Sequence, residues 1–178
     1  MHLSILTQFF FILSAAVVSA AGNLGLALGT KNADGSCKAQ SDYEADFSAI
    51  SAASTAKIVR GYAASDCNSA MYILPAAKNK GFKVILGIWP DTDQTYNADL
   101  AAIQQSAPNY PDQVYAVTVG SETLYRGNFT GPTLLAKMQA VKTALGNKFR
   151  IGTADSWNKY ADGTADAVIQ GKPDLLCV

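Results

Sequence analysis

The sequence predicts an α/β fold built around a parallel sheet. Short apolar runs recur along the chain; they are unalternated and often β-branched, which suits strands buried on both faces. Segments with a helical apolar stripe lie between them. Strand starts recur about every 30 residues, the length of one strand plus its crossover helix.

Six strands are read in order at 24–28, 58–63, 83–89, 114–120, 149–154 and 174–178. A polar, solvated loop from Lys31 to Lys38 follows the first. Ser41-Asp42-Tyr43-Glu44 then reads as a capping box, with Ser41 on the N3 amide and Glu44 reaching back. Tyr43, Phe47 and Ile50 share one face of that helix. The helix at 71–80 ends at Gly81, before the third strand. Tyr96, Leu100 and Ile103 form the next stripe, closed by Pro108. Leu134, Leu135, Met138, Val141 and Leu145 form another, stopped by Gly146. These stripes are core. Periodicity alone leaves two architectures open. One is a six-stranded doubly wound sheet. The other is a truncated (β/α)8 barrel, whose eight units span about 250 residues.

The chain has 178 residues, 49% of them hydrophobic and 16% charged, with zero formal net charge. That is one domain's worth of globular sequence, and it excludes a disordered segment or a polybasic nucleic-acid binder. The only histidine is His2, inside an apolar N-terminal stretch. Residues 3–18 followed by Val18-Ser19-Ala20-Ala21-Gly22 read as a signal peptide cleaved near Ala20 or Ala21. Residues 1–21 are therefore the leader and 22–178 the mature domain, with no membrane span. A mature chain without histidine has no Ser-His-Asp or Cys-His mechanism and no histidine-based metal site. No phosphate-binding or nucleophile-elbow motif is present. No cofactor or metal is expected, and carboxylates are left to carry any chemistry. Secretion permits disulfides and N-glycans. Asn128-Phe129-Thr130 is a glycosylation sequon in a loop between Gly127 and Gly131. Of the three cysteines, either Cys37 pairs with Cys67 and leaves Cys177 free, or all three are free.

In both architectures function gathers at the C-terminal ends of parallel strands. Those ends carry Tyr62 and Asp66, Trp89 and Asp91, Ser121, Glu122 and Tyr125, and Asp155 and Trp157. A carboxylate stands at four consecutive strand ends, and aromatic rings accompany them. That combination suits a sugar, whose apolar faces stack on rings while its hydroxyls bond to carboxylates. Glycoside cleavage uses two carboxyl groups flanking the scissile bond. Glu122 is the candidate acid. The rigid run Val117-Thr118-Val119 holds it, and Gly120 lets a ligand approach. The competing role for Glu122 is an ion pair with Arg126 or Arg60. For Asp66, Asp91 and Asp155 it is helix capping or a bond to a neighbouring strand end. Tyr62 and Trp89 are alternatively rim aromatics of the core.

Four segments carry a resemblance. They are Leu26-Ala27-Leu28-Gly29-Thr30-Lys31-Asn32-Ala33-Asp34-Gly35-Ser36-Cys37, Tyr62-Ala63-Ala64-Ser65-Asp66-Cys67-Asn68, Val117-Thr118-Val119-Gly120-Ser121-Glu122-Thr123-Leu124-Tyr125-Arg126 and Gly152-Thr153-Ala154-Asp155-Ser156-Trp157-Asn158. Together they resemble the fungal cell-wall β-1,3-glucanases and glucanosyltransferases of glycoside hydrolase family 17. The resemblance implies a (β/α)8 TIM barrel, of which this chain holds about the first five and a half β/α units. It also implies secretion to the fungal cell wall and retaining, endo-acting cleavage or transfer of β-1,3-glucan by a monomer. Glu122 matches the family's general acid/base, Tyr62 a cleft tyrosine, and Cys37 and Cys67 the cysteines of the fungal branch. Tyr62, Trp89, Asp91, Ser121, Tyr125, Asp155 and Trp157 are the expected glucan contacts. Ser121 stands where much of the family has asparagine. The family's nucleophile is a second glutamate on strand seven, past the end of this sequence. The expectation is therefore a glucanase as a full-length protein and an inactive fragment as given. The alternative is a non-catalytic, glucan-binding wall protein.

Overall fold

The computed structural model describes residues 25–178. The expected signal peptide lies outside the described residues. Six strands form one sheet: β1 (Gly25–Ala27), β2 (Ile58–Ala63), β3 (Lys83–Ile88), β4 (Val114–Ser121), β5 (Ile151–Ala154) and β6 (Leu175–Cys177). All neighbours are parallel, and the spatial order is the chain order, β1-β2-β3-β4-β5-β6. This decides between the two architectures. A doubly wound sheet reverses its strand order at a switch point, whereas a barrel adds each strand beside the last. The sheet also curls. Leu26 of β1 and Leu175 and Leu176 of β6 line one inner cavity of about 630 Å³, together with Ile58, Arg60 and Ile85. The architecture is a partial (β/α)8 barrel.

The long helices are α1 (Gln40–Ala53), α2 (Ser69–Lys80), α3 (Asp93–Ser106) and α4 (Gly131–Ala144); two short ones, α5 (Trp157–Ala161) and α6 (Asp166–Gln170), precede β6. The core sits between sheet and helices. Val59, Val84, Leu86, Val117, Val119 and Ile151 meet Phe47, Leu74, Ile103, Leu134, Met138 and Val141 there. Phe47 stacks on Phe82 at 4.6 Å. Gly81 and Gly146 take left-handed backbone past α2 and α4, as expected of helix stops.

Two local expectations are corrected. The capping box at Ser41–Glu44 does not form, because α1 starts earlier, with Ala39 as its cap. Asp42 reaches back to the Ala39 amide at 2.8 Å. Glu44 instead accepts from Gln40 and Asn79 at 2.8 Å each. Just before the helix, the Lys38 amide donates to the Thr30 carbonyl at 2.9 Å. Lys38 is also not solvated. It pairs with Asp46 at 2.7 Å and lies over the Tyr43 ring.

Candidate active site

β4 carries its backbone hydrogen bonding through Ser121 and then breaks. Gly120 takes φ +88° and Glu122 takes φ +54°. Left-handed backbone at a non-glycine residue is uncommon, and it clusters at functional sites. The Glu122 amide still donates to the Ala154 carbonyl of β5 at 2.9 Å. Glu122 therefore projects from a turn pinned to the neighbouring strand. Its carboxylate is exposed and holds no hydrogen bond or ion pair among the described residues. The ion pair with Arg60 or Arg126 does not form. Both guanidinium groups lie on aromatic faces, Arg60 over Tyr62 at 5.0 Å and Arg126 over Trp89 at 4.6 Å. Arg126 also donates to the Ser121 carbonyl.

The structure brings Tyr62, Ser121, Glu122 and Asp155 together. They line one cavity of about 250 Å³ with Arg60, Ala154, Cys177 and Val178. Trp89 lines a narrow neighbouring cavity that shares Arg60, Tyr62 and Ser121. The other expected contacts lie outside both. Asp91 is exposed on the β3–α3 loop, where its carboxylate accepts from the Asn128 amide group at 2.7 Å. The sequon asparagine thus bridges the loops after β3 and β4. Tyr125 follows Glu122 and is largely exposed, and Trp157 opens α5 at 69% exposure. Asp155 is only 4% exposed. Asp66 accepts from the Thr30 hydroxyl at 2.5 Å.

Cys37 and Cys67 are joined, with their Cα atoms 5.3 Å apart. The bridge ties the loop after β1 to the turn after β2, beside the Thr30–Asp66 bond. Cys177 is free and half-buried, and burial pushes its thiol above the ordinary range. Among the described residues no cluster of histidine, cysteine or carboxylate side chains is arranged to hold a metal. No helix among them is long and apolar enough to cross a membrane.

Two residues of the site stand outside the contacts expected from sequence. Arg60 lines both cavities, with its Nε buried and unpartnered. Its position one residue pair before Tyr62 on the same strand face is the signal that could have found it. Asp99 of α3 is fully buried and accepts from the Ser65 amide (2.8 Å), the Ser65 hydroxyl (2.6 Å) and the Trp89 amide (2.8 Å). It fixes the ends of β2 and β3 relative to each other.

Comparison with known proteins resolves the family. The profile of the BtgE/BtgC glycoside hydrolase domain matches residues 25–175. This chain belongs to that glycoside hydrolase family. It is 59% identical over 165 residues to a glucan 1,3-beta-glucosidase of Arthroderma benhamiae, covering 93% of this chain and 53% of the relative. It is 40% identical over 182 residues to a glucan 1,3-beta-glucosidase of Saccharomyces cerevisiae, covering 96% and 56%. Among solved structures it is similar to the glycoside hydrolase family 17 beta-1,3-glucanosyltransferase of Rhizomucor miehei. The TM-score is 0.72 at 28% identity, over 86% of this chain and 55% of that one. An active-site mutant of the Rhizomucor enzyme, in complex with laminaritriose, aligns with a TM-score of 0.66 at 25% identity, over 84% and 64%. The expected kinship with fungal family 17 holds, and so does the partial TIM barrel. The chain spans about half the length of the curated relatives it matches.

Proposed function

We propose that this chain supplies the acid/base side of a retaining, endo-acting β-1,3-glucan hydrolase or glucanosyltransferase. The observation that carries the reading is Glu122. It is a free carboxyl on a left-handed turn at the end of β4, in a cavity shared with Tyr62 and Arg60. The names of the relatives supply the substrate class. In the first step the Glu122 carboxylic acid gives its proton to the glycosidic oxygen. A second carboxylate attacks the anomeric carbon, the C–O bond breaks, and a glycosyl ester forms. In the second step the Glu122 carboxylate takes a proton from water or from a sugar hydroxyl, whose oxygen displaces the ester. The nucleophile is assigned to the half of the relatives that this chain does not span. Tyr62, Trp89, Tyr125 and Trp157 offer ring faces to the glucan, while Asp91 and Ser121 offer polar contacts. Residues 1–21 direct secretion to the fungal cell wall. The mature domain acts as a monomer with a glycan on Asn128.

A hybrid enzyme tests this reading, with residues 25–178 replacing the matching segment of the Arthroderma relative. It should cleave or transfer linear β-1,3-glucan, and Glu122→Gln should lower kcat/KM by about 100-fold or more. A Glu122→Gln hybrid of unchanged activity refutes the assignment. A second reading has one observation in its favour: the other carboxylate in the cavity, Asp155, has both oxygens engaged by backbone amides. That reading is a glucan-binding wall protein without catalysis. It requires the 178-residue chain to be retained on insoluble β-1,3-glucan without cleaving it.

A further inference from the structure

Asp155 is the most buried carboxylate beside Glu122, and both of its oxygens accept from backbone amides. Its Oδ2 accepts from the Leu124 amide at 2.8 Å. Its Oδ1 accepts from the Tyr125 amide at 3.1 Å and from the Ser156 amide at 2.9 Å. Its own amide donates to the Cys177 carbonyl of β6 at 3.2 Å. Leu124 and Tyr125 need such a partner. β4 has ended at Ser121 and α4 has not begun, so neither ladder serves these two amides. A buried amide without an acceptor costs about 1–3 kcal/mol. Two successive N–H groups aimed at one carboxylate make a charge-assisted anchor.

The anchor has a consequence for Glu122. The residue sits between two fixed points on consecutive residues of the neighbouring chain segment. Ala154 takes the Glu122 amide, and Asp155 takes the amides two and three residues on. The turn closes on itself through the Arg126 amide to the Glu122 carbonyl (2.9 Å) and the Asn128 amide to the Thr123 carbonyl (3.0 Å). A turn with glutamate at φ +54° is held by its surroundings rather than by its own preference. We propose that Asp155 is a positioning residue. It fixes the backbone turn that aims the Glu122 carboxyl, and it does not bind glucan. The same Oδ1 joins the backbone of Tyr125 to that of Ser156, so the segments bearing Tyr125 and Trp157 share this anchor. The proposal rests on Glu122 being the acid/base.

Asp155→Asn is the informative variant. A carboxamide has one acceptor and one donor side, so in either orientation it sets an N–H against an N–H. In the hybrid enzyme kcat should fall about 100-fold, the scale of a misplacement of about 1 Å, and any rise in KM for linear β-1,3-glucan, passed on through the Tyr125 and Trp157 segments that share the anchor, should be the smaller effect. A raised KM with kcat intact means that Asp155 touches substrate, and overturns the proposal. A second measurement needs neither catalysis nor a variant that folds. Amide exchange by NMR on the hybrid enzyme should show Leu124 and Tyr125 protected when Asp155 is in place. Where Asp155→Asn folds, both should exchange faster. Free exchange at these two amides in the wild type overturns the proposal, as does unchanged protection in the variant. Glu122→Gln decides the acid/base reading separately, so the two failures are distinguishable.

Discussion

Gly120→Ala probes the turn behind Glu122. Gly120 has φ +88°, and a Cβ there would stand 2.4 Å from the Thr123 hydroxyl oxygen and 3.3 Å from the Thr123 Cβ. Left-handed backbone alone costs an L-residue about 1–2 kcal/mol. Thr123 is fully buried, so it has no room to retreat. Overpacking of this kind adds about 1–3 kcal/mol. Reduced freedom of the unfolded chain offsets about 0.4–1 kcal/mol. The net loss is about 3 kcal/mol, against the ~5–15 kcal/mol that holds a domain folded. Gly127 is the internal control. It has φ +70° but nothing within 4 Å of an added Cβ. Gly127→Ala should therefore lose only the backbone part, about 1 kcal/mol. Urea denaturation followed by tryptophan fluorescence measures both. Thr123→Ala removes a hydroxyl that has no partner, and in the Gly120→Ala background it should recover about 1 kcal/mol or more as a coupling energy. Equal losses at Gly120 and Gly127, with no coupling to Thr123, would refute the argument that contact with Thr123 imposes glycine here.

The disulfide and the β5–β6 junction give two further tests. The Cys37–Cys67 bridge spans 30 residues, which corresponds to about 3.6 kcal/mol of loop-closure stabilisation. Cys37→Ser/Cys67→Ser should show that loss in urea, and a loss below about 1 kcal/mol refutes the entropic account. Asp174 accepts from the Ile151 amide at 2.9 Å and from Lys142 at 3.0 Å, and these bonds hold its carboxyl below the usual range. A lowered folded value contributes stability above the ordinary carboxylate value near about 4, and that stability fades as pH falls through the lowered value. Thermal unfolding of Asp174→Asn should therefore show a deficit at neutral pH that closes as pH falls through the lowered carboxyl value, and a deficit that widens in acid contradicts the reading.

Much of the scaffold was legible because it is locally encoded. The apolar runs at Ile58–Ala63, Lys83–Ile88 and Val114–Ser121 are strands, and Gly81 and Gly146 end helices. Glu122, Tyr62 and Ser121 were legible as neighbours because parallel strands bring their C-terminal ends to one rim. Asp91, Tyr125 and Trp157 looked equivalent to them in sequence, yet they lie outside the cavity. A position at a strand end fixes the rim a side chain joins but not its direction. The Arg60–Tyr62 and Arg126–Trp89 stacks were not legible either, since an arginine's ring partner depends on the spacing of adjacent strands and loops.

Residue order alone determined that the chain alternates strand and helix and that Glu122 stands at the end of a strand. Hydrophobic periodicity and residue type are local properties, and they survive without knowledge of the fold. Tertiary structure decided that strand order follows chain order, which makes the sheet a partial barrel. It also decided what each buried carboxylate faces. Asp99 reaches amides 34 and 10 residues away, and Asp155 reaches amides 31 and 30 residues away. Hydrogen bonds at that separation exist only once the sheet has closed distance between the segments, so an aspartate that binds backbone and one that binds sugar read the same until the chain is folded.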